Sequence, residues 1–342
     1  MYSWKDFKSI TTYYNALITG KKEDFDIRFT KEKDTLKTVM NFSKFNISYT
    51  IKNEEETSDE FKNIVVNYEE FYKVMKSIKG IKQIDVFVNN DKLILKTDKE
   101  ETFEVNCSKM ITKEFVGTHI MNIPVQEFRM AFSFNDVASK SGVFDFDENI
   151  FFYLKNNVLY MSSYNVGVYV GNKIQLMDAQ NIIFKLPYSY TGFVKKWLKF
   201  VENKTQASIA DDLNFSIFER FLKIEIDKYS IILPIEKDEK IGEKFMKITD
   251  FEFPNKTTIP YHLIQEKSKE TLNEKEKGVD MIDFFDTQSI MHKPLLKSVV
   301  DLFDVDDFDV DVKRVDSQNL VLELDSDFKS ISVKILLFGI KN

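Results

Sequence analysis

The chain has 342 residues, 43% hydrophobic and 14% aromatic, with 48 Lys and Arg against 55 Asp and Glu for a net charge of -7. That length suggests two or three domains, each with its own core. A single cysteine, Cys107, excludes an internal disulfide and a thiolate metal cluster; His119, His262 and His292 lack ligand spacing; and neither GxGxxG nor GxxxxGK[ST] occurs, so no metal, cofactor or enzymatic activity is expected.

No stretch approaches the roughly 18 consecutive apolar residues of a membrane span, and the start "MYSWKDFKSITTYY" lacks the apolar centre of a secretory signal. The expectation is a cytoplasmic protein without membrane contact.

In chain order, amphipathic helix patterns are each followed by alternating, strand-like runs, and the unit recurs at intervals of about 50 to 65 residues. The first helix reads from Ser3 to Leu17, ahead of strands "DFDIRFT", "TLKTVMNF" and "FNISYTI". The second spans Asn67 to Gly80, with Tyr68, Phe71, Tyr72, Met75 and Ile78 at helical spacing, and leads into two strands joined by a turn at Asn89-Asn90-Asp91. The third spans Pro124 to Ser139, with Pro124 suited to a first turn, and the strands after it turn at Asn156-Asn157. The fourth, "YSYTGFVKKWLKFVENK" (Tyr188 to Lys204), places Phe193, Trp197, Phe200 and Val201 on one face. A fifth start at Tyr261 is mostly polar, and a sixth, "HKPLLKSVVDLF", precedes strands "FDVDVKRV", "NLVLELD" and "SISVKILLFGI". The charge-rich stretches Lys52 to Glu60, Glu236 to Lys244 and "EKSKETLNEKEKG" read as solvated connectors. Pairing the units predicts three α+β domains, residues 1–116, 117–250 and a short 251–342, each with helices over antiparallel sheets.

The polar sides of these helices are repeatedly basic: Lys5 and Lys8; Lys73, Lys76 and Lys79; Arg129 and Lys140; Lys195, Lys196 and Lys199; Lys293 and Lys297. On one helix such charges serve solubility. Recurring on several, they form a positive lining within an acidic protein, the distribution that neutralises phosphates without reading bases.

A repeated two-helix domain with basic helix faces resembles the DNA sliding clamps of the bacterial DNA polymerase III β-subunit type. "FFYLKNNVLYMSSYNVGVYVGN" (Phe151 to Asn172) is similar to the family's segment ending in "ATDGHRLA", with Asn165-Val166-Gly167 in place of Gly-His-Arg. "DFEFPNKTTIP" (Asp250 to Pro260) looks like its "GEFPDY...IP", and "VKILLFGIKN" stands where the family has "YVVMPMRL".

The resemblance implies a ring-forming DNA-clamp fold and a processivity factor that encircles double-stranded DNA at the replication fork. It implies a homo-oligomer, a dimer of three-domain subunits or else a trimer of two-domain subunits with a C-terminal appendage. A hydrophobic pocket for the linear peptide motifs of a DNA polymerase and clamp loader would be walled by Phe146, Ser163, Val166, Val168, Pro260, Leu320, Phe338 and Ile340. The Lys, Asn, Ile and Phe bias suggests an AT-rich bacterial, plasmid or phage genome. Two other readings stand beside this one: a clamp-like adaptor that does not encircle DNA, and a Mg²⁺ enzyme using the carboxylates of "FDVDDFDVDV", which lack a defined basic partner.

Overall fold

The computed structural model describes residues 1–42, 45–53, 59–111, 116–139, 149–165, 168–205, 211–237, 239–252, 257–259, 281–283, 289–292, 310–314, 319–325, 331–338 and 340–341. The chain divides into two compact units, Met1–His119 with Lys196–Pro234, and Ile120–Lys195 with Ile235–Asn342. No helix among the described residues is long and apolar enough to cross a membrane.

The first unit is built on helices α1 (Trp4–Leu17) and α2 (Tyr68–Ser77). In α1, Phe7, Ile10, Tyr14 and Leu17 recur every three or four residues and are buried, so one side of the helix faces the sheet. The second helix starts where the Asn67 side chain accepts hydrogen bonds from the Glu69 and Glu70 amides at 3.1 and 3.3 Å. It ends at Ser77, and Gly80 beyond it takes the left-handed conformation, φ 68°, that reverses the chain.

Beneath these helices the strands run antiparallel in the order Asp212–Phe218, Phe221–Ile226, Tyr229–Pro234, Asn46–Lys52, Thr35–Asn41, Asp26–Glu32, Phe61–Asn67 and Ser108–Lys109. Two distant stretches of chain meet where Tyr229 pairs with Tyr49 and Ile231 with Ile47. A second sheet orders Tyr2–Ser3, Gln83–Asn89, Lys92–Thr97 and Thr102–Asn106. Lys31, with no exposed surface, ties the two sheets together: its ammonium donates to the Val86 carbonyl at 2.7 Å and meets Asp85 at 3.2 Å.

The second unit contains α3 (Val125–Ser139) and α5 (Glu239–Asp250), while α4 (Thr191–Thr205) begins in the second unit and continues in the first. Pro124 is the last residue of the preceding strand, one position before the helical turn expected of it. The sheet runs Ile182–Pro187, Asn149–Lys155, Val158–Asn165, Val168–Gln175, Ile331–Phe338, Asn319–Asp325, Val310–Arg314 and Thr257–Ile259. The C-terminal strand joins this sheet through Val168 opposite Leu337 to Ile174 opposite Ile331. Met281–Asp283, Ser289–His292 and Ile340–Lys341 form a smaller sheet. Both expected asparagine turns form, with Asn90, Asn156 and Asn157 at φ 53°, 53° and 62°.

Two elements differ from the sequence reading. The supposed connector Glu236 to Lys244 is largely helix α5, because Phe245, Ile248 and Thr249 follow at helical spacing and turn inward while Glu243, Lys244 and Lys247 stay in solvent. Phe61–Asn67, of which the sequence pattern assigns only Asn67, as the start of the second helix, is a strand paired with Asp26–Glu32. The expected fifth helix lies outside the described residues, as does the sixth apart from its first residue, His292, which ends the strand Ser289–His292.

Candidate nucleic-acid interface

Burial of one side of each helix leaves the other to solvent, and the exposed residues fall into stripes. On α1 they are Lys5, Lys8 and Thr12; on α4, Gly192, Lys196, Lys199, Asn203 and Lys204. Within the first unit α1 and α4 lie against each other. The Trp197 indole N–H donates to the Tyr13 hydroxyl at 2.9 Å, which donates in turn to the Ser230 carbonyl at 3.2 Å, and the rings of Tyr13 and Phe200 are 5.4 Å apart. Burial pushes the Tyr13 phenol far above its ordinary pKa, so it stays a neutral donor at the centre of this contact. Lys196 reaches the Leu17 carbonyl at 3.5 Å, placing a cation at the C-terminal end of α1, where the helix dipole favours it.

The second helix is also fixed beside α1. Tyr68 donates from its hydroxyl to the Thr11 carbonyl at 3.2 Å, and Phe7 packs on Phe71 at 6.2 Å. Of its lysines, Lys73 is paired with Glu69 one turn earlier at 2.9 Å, whereas Lys76 sits 4.7 Å from the centre of the Tyr72 ring. Lys22 approaches the same phenol, 3.2 Å from the ring centre, from a turn whose sequence pattern marks no lysine.

In the second unit Arg129 is the exposed residue between Phe128 and Met130, both buried. Lys195 differs from the lysines that follow it in α4: it binds the Asp136 carboxylate at 2.6 Å, and that carboxylate has 3% of its surface exposed. A shallow cleft lined by Asp136, Tyr188, Ser189, Thr191, Gly192 and Lys195 surrounds the pair. Lys140, Lys293 and Lys297 lie outside the described residues.

Of the pocket residues named from the sequence, Ser163, Val168, Leu320 and Phe338 fall on one sheet and Ile340 on another. Val168 and Leu320 both pair with Leu337, from its two sides, and Asn319 pairs with Phe338. Ile340 pairs with Ile290 in the smaller sheet. Val168 is fully buried, as is Ser163, whose hydroxyl donates to the Asn135 carbonyl of α3 at 2.8 Å. Phe146, Val166 and Pro260 lie outside the described residues.

One of the two helices that cover this sheet, α5, falls on a stretch whose pattern reads as a connector. Side chains alternate across a strand: Ser163 and Asn172 reach α3, while Ser162 and Tyr169 point to the opposite face, where α5 lies. Tyr169 donates to the Phe245 carbonyl at 2.9 Å, its ring lies 5.6 Å from that of Phe245, and burial pushes its phenol up to about 12. Tyr164, 44% exposed, extends the same aromatic contact at 6.2 Å.

Among the described residues no group of three or more His, Cys, Asp or Glu could hold a metal ion. Cys107 is half-buried, and burial together with Asp91 pushes its thiol pKa up, away from the reactive thiolate.

No family model matches the chain, and no curated protein matches it by sequence. Solved structures match it from end to end. A DNA polymerase sliding clamp from Pseudomonas aeruginosa, crystallised with a ligand, superposes with a TM-score of 0.71 at 9% identity, covering 99% of this chain and 98% of that one. The Helicobacter pylori β clamp in complex with carprofen gives 0.69 at 11% identity over 99% of both chains. The DNA polymerase sliding clamp of Bacillus subtilis gives 0.70 at 11% identity over 100% of this chain and 98% of that one. The chain therefore has the sliding-clamp fold, shared with these proteins at identities that carry the fold alone.

Proposed function

We propose that this chain, having the sliding-clamp fold, is a DNA polymerase processivity factor: a non-enzymatic ring that surrounds duplex DNA in the cytoplasm and tethers a polymerase. The end-to-end likeness to sliding clamps carries the reading. Exposed lysine stripes on α1 and α4 support it, since they supply sequence-independent attraction to phosphate on elements whose other sides are committed to the core.

The chain is read as three clamp domains, residues 1–116, 117–250 and 251–342, closing head-to-tail with a second copy into a ring of six domains. Lys5, Lys8, Lys76, Arg129, Lys196 and Lys199 face the DNA, together with Lys140, Lys293 and Lys297. Lys73 and Lys195 contribute less, because Glu69 and Asp136 already offset their charge. Partner peptides of a polymerase and clamp loader bind at the pocket that includes Leu320, Phe338, Ile340, Phe146, Val166 and Pro260. Ser163 and Val168, both buried, hold its floor rather than its surface.

The adaptor reading draws on the same neutralised lysines, which lower the positive charge of the helix faces; it requires no DNA affinity at all. Charge reversal separates the two. Lys5→Glu, Lys8→Glu and Lys199→Glu together should weaken binding to a short linear duplex at least tenfold at low salt and flatten its salt dependence. Unchanged affinity would place DNA elsewhere or remove it from the function.

A further inference from the structure

The pair of lysines around Tyr72 is unusual among the charges of this molecule. Among the described residues, ammonium groups at close range elsewhere meet a carboxylate or a carbonyl: Lys31 with Asp85, Lys195 with Asp136, Lys228 with Asp6. Lys22 and Lys76 instead converge on one phenol, 3.2 and 4.7 Å from its ring centre. Of the four acids on these elements, Glu23 pairs with Lys21 at 3.5 Å and Glu69 with Lys73 at 2.9 Å, while Asp24 and Glu70 are exposed and form no ion pair with Lys22 or Lys76. Among the described residues neither Lys22 nor Lys76 has a carboxylate within ion-pair distance. Two like charges that approach one ring without a counter-ion repel each other, and an anion in contact with both removes that cost.

The arrangement is also held from below. Lys22 sits in a short turn, Lys22–Asp24, that is fastened to the start of α2: the Tyr68 amide donates to the Phe25 carbonyl at 2.9 Å, and the Asn67 side chain donates to the Glu23 carbonyl at 3.1 Å. Both lysines therefore project from elements whose backbones are fixed to each other, so little order has to be created when a ligand arrives. Tyr72, which both lysines approach, is half-buried and has a hydroxyl that can donate.

We propose that Lys22, Tyr72 and Lys76 form a binding site for a single phosphate group, two ammonium groups offsetting its charge and the Tyr72 hydroxyl donating to one of its oxygens. A phosphodiester of duplex DNA and free inorganic phosphate share this chemistry. The first source rests on the processivity-factor reading, with the site adding Lys22 and Tyr72 to the phosphate-contacting residues; the second does not depend on it. The two lysines hold the Tyr72 phenol below its ordinary pKa, and a bound phosphate, by cancelling their charge, moves it back up.

The test uses the full chain in two arms. In the first, affinity for a short linear duplex is measured against salt for the wild type, the Lys22→Gln/Lys76→Gln double variant, Tyr72→Phe, and the Lys5, Lys8 and Lys199 reversals. Loss of one phosphate contact lowers the slope of log affinity on log salt by about 0.9 in the double variant. Tyr72→Phe keeps the slope and weakens binding roughly three- to tenfold, as loss of one neutral hydrogen bond does. In the second arm, inorganic phosphate is titrated at constant ionic strength while the ionisation of Tyr72 is followed by NMR of labelled tyrosine rings. It should move upward with phosphate, not with chloride, and not in the double variant.

If the Lys5, Lys8 and Lys199 reversals flatten the slope but the double variant does not, and phosphate leaves Tyr72 unmoved, the site is refuted while the DNA reading stands. If the wild type has no affinity for duplex yet phosphate shifts Tyr72, the DNA reading fails and the site stands with free phosphate as its source.

Discussion

Lys195 shows how a single partner changes what a charge can do. Its neighbours Lys196 and Lys199 project into solvent, but Lys195 is fixed by Asp136, a carboxylate that the fold has taken out of water. Removing the cation leaves a buried negative charge without that partner, a change that costs about 3 kcal/mol or more where burial is nearly complete. Lys195→Met should therefore lower the stability measured by urea unfolding by about that amount, whereas Lys199→Met should change it by no more than about 0.5 kcal/mol. Equal effects at the two positions would show that the Asp136 pair carries no structural weight. Runs of lysine on a helix are thus not one class: position within the turn decides which lysine is part of the scaffold and which is free to meet phosphate.

Among the elements, α5 is the most informative, since its neighbours explain both its existence and why it escaped the sequence reading. Its inward residues, Phe245, Ile248 and Thr249, pack on Tyr169 and Leu336, and its end is held by Lys334, which donates to the Thr249 and Phe251 carbonyls at 2.7 and 2.8 Å. The approach is close enough that Gly171 has to lack a side chain: a β-carbon there would collide with Thr249 Oγ1 and stand 2.8 Å from the Tyr169 hydroxyl. Gly171→Ala should push α5 off the sheet, seen as faster hydrogen exchange in residues 243–250 with the strand Asn149–Lys155 still protected; unchanged protection of α5 would contradict this packing. Helices α1 to α4 were legible because aromatic and aliphatic residues at helical spacing outweigh their polar faces. In α5 the charged residues of "EKDEKIGEK" come first and the inward-facing Phe245, Ile248 and Thr249 last, so the segment reads as a connector until the sheet that receives Phe245 is known. The candidate site was legible to a similar extent. The basic stripes of α1 and α4 follow from periodicity, but Lys22 approaches Tyr72 from a turn 50 residues distant in sequence, and the loss of Lys195 to Asp136 depends on a helix-to-helix contact that no local pattern encodes.

At the scale of the molecule, a net charge of -7 and a lysine-bearing helix surface are compatible because the acids are spent elsewhere, many of them in pairs on strands and turns such as Glu32 with Lys62, Glu104 with Lys92 and Glu225 with Lys223. Each unit draws on separated stretches of chain, so that Tyr229 closes on Tyr49 in the first and Leu337 on Val168 in the second. The proposed function requires a closed ring, and with three clamp domains to the chain, as proposed, a second copy would complete six. The most direct test is the mass in solution by light scattering across a hundredfold range of protein concentration. The account predicts a species of twice the 40.3 kDa chain mass at the upper concentrations; a monomer at every concentration would contradict it.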